Sequence, residues 1–200
     1  MNDWESHLAS LESTPLLGAI RELFDREASR IEPLEHAIEV YIAGGAAVHF
    51  WTRARVTGDV DAEFGARYRP GDDIVLYRTS EGEDKPVYID RQYNSMFGLL
   101  HEGYRQNAYS VGARLGGGTA FHIHVLSPVD LAISKIARWA EHDQQDVVEM
   151  ARQGLIDPDE LQSKANEALA TAVGFNAGMV AVNIREAVDH VRQFRTAPGA

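Results

Sequence analysis

Two acidic residues set one position apart, Asp59 and Asp61, stand where the chain could hold a cation. They lie in the stretch YIAGGAAVHFWTRARVTGDVDAEF, Tyr41 to Phe64. On a strand, side chains at i and i+2 share a face, about 7 Å apart. Asp59 and Asp61 then point the same way while Val60 enters the core. Neighbouring carboxylates repel, and a cation between them relieves the repulsion. Hard divalent cations such as Mg2+ take oxygen ligands of this kind and commonly share them with substrate phosphates. Upstream, Gly44-Gly45 separates a strand-like run from a helix-like one. At a helix N-terminus free N–H groups favour an anion, and glycine lets a phosphate come close. The plain alternatives are two acids on a solvent-facing strand edge and a turn that needs positive φ at one glycine.

Other residues border this segment. Arg53, Arg55 and Thr57 lead into the acidic strand; Arg55 could order Asp59, touch a phosphate, or form a surface ion pair of little worth. His122 and His124 share a strand face at i and i+2, a spacing that suits a transition metal, but the sequence offers no third ligand of matching type, so a half-exposed strand is the reading adopted. His49, one helical turn past the glycines, reads as packed. No Gly-x-Ser-x-Gly, His-Glu-x-x-His or dinucleotide-binding fingerprint occurs, and Gly112 to Gly118 lacks the Gly-Lys-Ser/Thr of a P-loop, so it reads as a flexible loop.

The elements that must position these groups follow from periodicity and punctuation. Residues 3–30 read as one or two helices, with Leu8, Leu11, Leu16, Leu17, Ile20 and Phe24 on the apolar face and Pro15 at the break. Ala37 to Ala43 alternates as a strand, Ala46 to Arg53 is a short helix, and Val56 to Phe64 is one strand. Ile74–Arg78 and Val87–Asp90 read as a hairpin around a polar turn. Asn94 to Leu100 reads as a short helix and Phe121–Leu126 as a strand. Ser127-Pro128-Val129-Asp130 and Asp157-Pro158-Asp159-Glu160 are helix starts, and Gly154 ends the helix between them. A last helix covers about 179–194, with Thr196–Ala200 frayed.

Composition limits the function classes. The 200 residues carry a net charge of −11 and no cysteine. Thiolate metal sites, disulfides and cysteine nucleophiles are excluded. No apolar run reaches the ~20 residues of a membrane span, and the acidic N-terminus lacks the pattern of a signal peptide, so a cytoplasmic location is expected. The acidic balance argues against a long duplex nucleic-acid footprint. Charge is uneven: residues 1–50 carry −6, residues 51–118 only −1, and residues 119–200 carry −4. The middle third is the part best suited to an anionic nucleotide or a short RNA end.

The order of glycine pair, short helix and Asp-Val-Asp strand resembles the nucleotidyltransferase fold of the DNA polymerase β superfamily. A second block, LSPVDLAISKIARWAEHDQQDVVEM (Leu126 to Met150), resembles the S-P-x-D-L…K…R…D…D helix of small bacterial nucleotidyltransferases. Those include abortive-infection (AbiEii-like) toxins and the family DUF6036. The two blocks span about residues 38–150. The resemblance implies an α+β fold: an N-terminal helical segment (1–35), a polymerase-β-like core of mixed sheet and flanking helices (36–126), and a C-terminal helical portion packed on it (127–200). It further implies Asp59 and Asp61 as ligands of Mg2+ or Mn2+, with Asp90 as third carboxylate, either metal ligand or general base. Asp90 could equally cap Tyr93 or Asn94, and Glu63 is the runner-up. Gly44, Gly45, Arg55 and Thr57 would bind the nucleotide. Lys135 and Arg138 would reach the triphosphate or the leaving pyrophosphate, or else form a polar helix face in which Arg138 meets His142 and Asp146. Asp143 and Asp146 match an acidic pair of the family, or tie the helix to the core. The implied reaction moves a nucleoside monophosphate from an NTP to a hydroxyl on a tRNA 3′ end or a protein side chain, in a toxin–antitoxin or phage-defence setting with a cognate partner. The alternative is an inactive module of the same fold, acting as antitoxin or partner-binding protein.

Overall fold

Polar caps followed by proline start the helices where the sequence places them. Thr14, Ser127 and Asp157 each accept a backbone N–H from the first turn of their helix, and Pro15, Pro128 and Pro158 follow at the first helical position. In this computed structural model, residues 4–32, 34–65 and 68–195 are described; the expected fraying of Thr196–Ala200 lies outside them. The chain forms two units, Met1–Tyr93 with Ser110–Val125, and Asn94–Tyr109 with Leu126–Ala200. The N-terminal helices therefore belong with the strands, and a middle segment belongs with the C-terminal helices.

In the first unit, helix α1 (Trp4–Ser10) precedes α2 (Pro15–Ala28), which buries Leu16, Leu17, Ala19, Ile20, Leu23 and Phe24 on one face. Strand β1 (Ile38–Ile42) buries Val40 and Ile42 and turns Glu39 and Tyr41 outward. Helix α3 (Gly44–Thr52) is buried from Ala46 to Thr52, with Trp51 fully enclosed. The acidic segment expected as one strand is two: β2 (Asp59–Val60) and β3 (Ala62–Phe64) join different sheets, and the chain switches at Asp61. β4 (Val75–Arg78) and β5 (Asp84–Ile89) form the expected hairpin. β7 (Phe121–Val125) pairs in parallel with β1, while β3 runs antiparallel on β1's other side. With β6 (Tyr109–Ser110), where the chain returns to this unit, the order is β3-β1-β7-β6; the other sheet is β2-β5-β4.

The stretch Gly112–Gly118 is not a free loop. A 3-10 turn covers Gly112–Leu115, and Gly116, Gly117 and Gly118 all take positive φ. The Gly117 N–H donates to Asp25 of α2 at 2.9 Å. A Cβ on Gly116 would stand 2.6 Å from the Arg21 carbonyl oxygen, so this backbone docks where no side chain fits.

In the second unit, α4 (Tyr104–Asn107) precedes α5 (Pro128–Ile136), α6 (Glu141–Arg152), α7 (Pro158–Thr171) and α8 (Ala177–Phe194). Leu131, Ile133, Ile136, Val147, Met150, Leu161, Ile184 and Val188 form its core. The block expected as one helix to Gly154 breaks between α5 and α6, where Trp139 takes a left-handed φ of 49°. Trp139 is held there by its indole N–H, which donates to Glu186 at 3.0 Å. Gly154, at φ 70°, ends α6 as expected.

One buried carboxylate fastens α2 to the loop before β4. Glu27 is 2% exposed. It accepts from the Tyr68 hydroxyl at 2.6 Å and the Gly71 N–H at 3.0 Å, and pairs with Arg30 at 3.0 Å. Burial and this hydrogen bond both push the Tyr68 phenol well above its ordinary pKa. Glu27→Ala strands the half-buried Tyr68 hydroxyl and the Gly71 N–H, each costing about 1–3 kcal/mol. Urea denaturation should show a loss of about 2–4 kcal/mol, with Arg26→Ala, on the exposed side of α2, near zero.

Candidate functional site

The parallel register of β2 and β5 positions the acidic segment. Asp59 pairs with Tyr88 and Val60 with Ile89, and the Asp90 N–H donates to the Val60 carbonyl at 3.0 Å. The ladder ends there, and Asp61 and Asp90 are the half-buried residues that follow on each strand. Val60 and Ile89 are buried, so Asp59 and Tyr88 occupy the opposite face. Asp90 also caps locally, its side chain accepting from the Gln92 N–H at 2.8 Å and its carbonyl from the Tyr93 N–H at 3.4 Å. Glu63 lies past the sheet switch, paired across β1 with Tyr41.

The glycine pair is fitted to the acidic segment. Gly44 takes φ +59°, and a Cβ there would stand 1.8 Å from Asp61 Oδ2. At Gly45 a Cβ would meet Thr57 Oγ1 at 2.9 Å and Arg55 Nε at 3.6 Å. Asp61 therefore packs against the start of α3, with Arg55 and Thr57 against the next residue. The Ala43 N–H donates to the Asp61 carbonyl at 2.8 Å, which fixes the height of the acid beside the helix. The Thr57 hydroxyl donates to Asp59 Oδ1 at 2.5 Å, and the Tyr77 hydroxyl holds the Thr57 carbonyl at 3.0 Å.

His49 is a packed residue, as the sequence suggested, with a definite task. It is 5% exposed. Its Nδ1 lies 2.5 Å from the Arg55 carbonyl and its Nε2 lies 2.7 Å from the Thr14 hydroxyl. A carbonyl only accepts, so Nδ1 carries the proton and Nε2 accepts from Thr14. Thr14 Oγ is then free to cap α2 by accepting from Leu17. Arg53, at φ 61°, ends α3 and sends its Nε to the Glu12 carbonyl at 2.9 Å. Together these contacts hold the loop from Arg53 to Thr57.

A cleft of about 570 Å3 opens beside Asp90, lined also by Asp72, Ile74, Tyr88 and Arg91 among others. Its size suits a small-molecule ligand. Tyr88 and Arg91 were not singled out in the sequence. The alternation of β5 is the signal that could have found Tyr88, since it puts Tyr88 on the exposed face.

Lys135 and Arg138 belong to the second unit and are paired there. The buried Lys135 ammonium lies 2.7 Å from Asp146 and 4.0 Å from Asp143. Arg138 grips Asp143 across the α5–α6 break with two hydrogen bonds of 2.7 Å. Asp143 also accepts from the Ala140 N–H at 3.0 Å, which starts α6. Burial pushes the Asp143 carboxyl up, but Arg138, the Ala140 N–H and Lys135 outweigh it and hold the group below the usual carboxylate range. Asp143 and Asp146 thus tie α6 to α5, and a triphosphate role for either cation would have to draw it from these acids.

Gly44→Ala should do more than strain the backbone, because the new methyl overlaps Asp61. Left-handed φ alone costs an alanine about 1–2 kcal/mol; chemical denaturation should show at least that, against a smaller loss for Gly45→Ala, whose neighbour Thr57 can rotate. His49 yields a pH signature. Burial first, then the Arg53 charge, lower its pKa, and the Arg55 carbonyl only partly offsets them. The folded chain therefore resists protonation that the unfolded chain accepts. The stability from neutral His49 is complete above the unfolded pKa of about 6.5 and is lost as pH falls toward the lower folded value. Denaturation midpoints between pH 7.5 and 5.5 should fall in the native chain and fall less in His49→Gln.

Residues 21–176 match the family described as nucleotidyltransferase of unknown function (DUF6036). No curated protein matches the chain. Among solved structures, an antigenic nucleotidyltransferase-like protein from Paracoccidioides brasiliensis aligns at 16% identity with a TM-score of 0.40, over 94% of this chain and 96% of that one. With its match running through both the acidic segment and the α5–α6 block, the chain belongs to the DUF6036 family of nucleotidyltransferases.

Proposed function

We propose that the first unit binds a nucleoside triphosphate with Mg2+ and transfers its nucleoside monophosphate to an acceptor hydroxyl. The observation that supports this is the Asp61 carboxylate packed against Gly44 at the start of α3, directly after Asp59 and Val60, with Asp90 following Ile89 on the strand paired with β2. Carboxylate oxygens suit Mg2+ or Mn2+, and Asp59, Asp61 and Asp90 are the residues that would hold the ion. When bound there, the ion would neutralise phosphate charge and acidify a coordinated hydroxyl.

The chain's own groups have distinct tasks. Backbone N–H groups at Gly44 and Gly45 receive phosphate oxygens at the start of α3. Thr57 keeps Asp59 in its rotamer, and the sheet ladder keeps Asp61 at the helix. Asp90 takes the proton from the acceptor hydroxyl. The acceptor oxygen bonds to the α-phosphorus, the bond to the β-phosphate oxygen breaks, and pyrophosphate leaves. Tyr88 offers a ring beside the acids for a base to stack on, and Arg91 a charge for a phosphate. The acidic chain favours a protein side chain or a tRNA 3′ end as acceptor over duplex nucleic acid. A toxin–antitoxin or phage-defence role with a cognate partner extends the same reading.

Incubating the protein with Mg2+ and each α-labelled NTP, with tRNA, lysate proteins or the protein itself as acceptor, tests it. Label should appear on one acceptor class and fall by about a hundredfold or more in Asp59→Asn/Asp61→Asn. No transfer to any acceptor by a folded protein would leave a partner-binding module of the same fold.

A further inference from the structure

The outward face of β1 and β7 carries a second cluster, made of different chemistry. Glu39 pairs with His122, and Tyr41 with His124, in the parallel register. All four alternate with the buried Val40, Ile42, Phe121, Ile123 and Val125, so they face outward together. The carboxylate of Glu39 sits between the two imidazoles. Its Oε1 lies 3.1 Å from His122 Nδ1 and its Oε2 lies 2.6 Å from His124 Nε2. One ligand atom from each of the three residues falls within 4.8 Å of the others. The third ligand that His122 and His124 lacked in the sequence is therefore Glu39, supplied by the neighbouring strand.

The surroundings hold these groups as ligands. The second nitrogen of His122, Nε2, lies 3.1 Å from the Ser110 hydroxyl, a partner that would hold the ring proton when Nδ1 binds an ion. His124 is stacked on Tyr41, ring centroids 4.9 Å apart and planes 14° from parallel. On the other side of Glu39, Gly65 closes the strand edge by donating to the Glu39 carbonyl at 2.7 Å. A Cβ there would stand 3.1 Å from that of Glu39, so glycine leaves the flank of the acid open.

We infer that Glu39, His122 and His124 form a binding site for a divalent transition-metal ion, Zn2+ by ligand type, with a fourth coordination position open to water or a ligand. Two imidazoles and one carboxylate are a common zinc donor set when a position stays open. Imidazole selects such ions over Mg2+, so this site and the group of Asp59, Asp61 and Asp90 differ in the ions they take. They are also apart in the fold: Glu39 precedes Gly44 by five residues of β1 and its exit, about 16 Å of extended chain. The site is independent of the transferase reading.

The test uses the chelator-treated full chain and Zn2+ alone, in competition with a chromophoric zinc indicator. One equivalent should bind with a Kd of about 10 μM or tighter, and Co2+ in its place should give the visible absorption of a four-coordinate ion. Glu39→Gln/His124→Gln should weaken binding by more than the roughly tenfold that loss of an outer-shell partner costs and abolish the cobalt bands. Both side chains lie on the outer face, and circular dichroism reports whether the variant folds. Asp59→Asn/Asp61→Asn should bind Zn2+ as the native chain does. Absence of a stoichiometric site in the native chain overturns the inference. So does binding that persists unchanged in the Glu39/His124 variant, or that vanishes with Asp59 and Asp61 instead.

Discussion

The absence of one methyl group is what the candidate active site depends on. A carboxylate can lie against the first residue of α3 only because Gly44 has no Cβ; an alanine there would place carbon 1.8 Å from Asp61 Oδ2. That contact aligns the end of β1, the start of α3 and the switch between sheets at Asp61. Once Asp61 is fixed, β2 is fixed, and through its ladder to β5 so is Asp90. The positive φ of Gly44 and the steric demand of its neighbour are two separate reasons for the same residue. A phosphate role would add a third without altering the geometry.

Much of this was legible in the sequence because it rests on local rules. The caps at Thr14, Ser127 and Asp157 and the hairpin of β4 and β5 follow from spacing alone. What spacing could not convey was pairing between distant segments. The split of the acidic strand at Asp61 depends on β1 capturing Ala62–Phe64 while β5 captures Asp59–Val60. Glu39 as neighbour of His122 depends on a register between strands far apart in the chain. The break at Trp139 was hidden because a tryptophan carries no turn signal; a single tertiary hydrogen bond to Glu186 helps to hold it there. Gly112–Gly118 looked loose because glycine suggests freedom, whereas here it permits close docking on α2.

The second unit shows how charge can be buried without being a reaction centre. Lys135, Arg138, Asp143 and Asp146 have the residue types of a catalytic set, yet each has a structural partner within the α5–α6 joint. Removing Lys135 would leave the buried Asp146 uncompensated, which costs more than the pair contributes. Such a network specifies how two helices meet, and the motif S-P-x-D-L…K…R…D…D is accounted for by helix starts and this joint.

The central pairing of β1 with β7 has a consequence for how the chain comes into being. It joins residues 38–42 to residues 121–125, with the segment 94–109 of the other unit threaded between. On the ribosome, α2, α3 and the β4–β5 hairpin emerge early and can form from near neighbours. The larger sheet cannot close until Val125 has left the exit tunnel, so the apolar face of β1 must wait on a distant strand. Pairings of this range are slow because the chain entropy is lost before the contact is made. Asp59 sits in the early-formed β2–β5 pair, but the sheet around β1, which leads into α3, is completed late. A nascent chain stalled between residues 90 and 120 therefore holds the candidate chemistry without the sheet that aligns it.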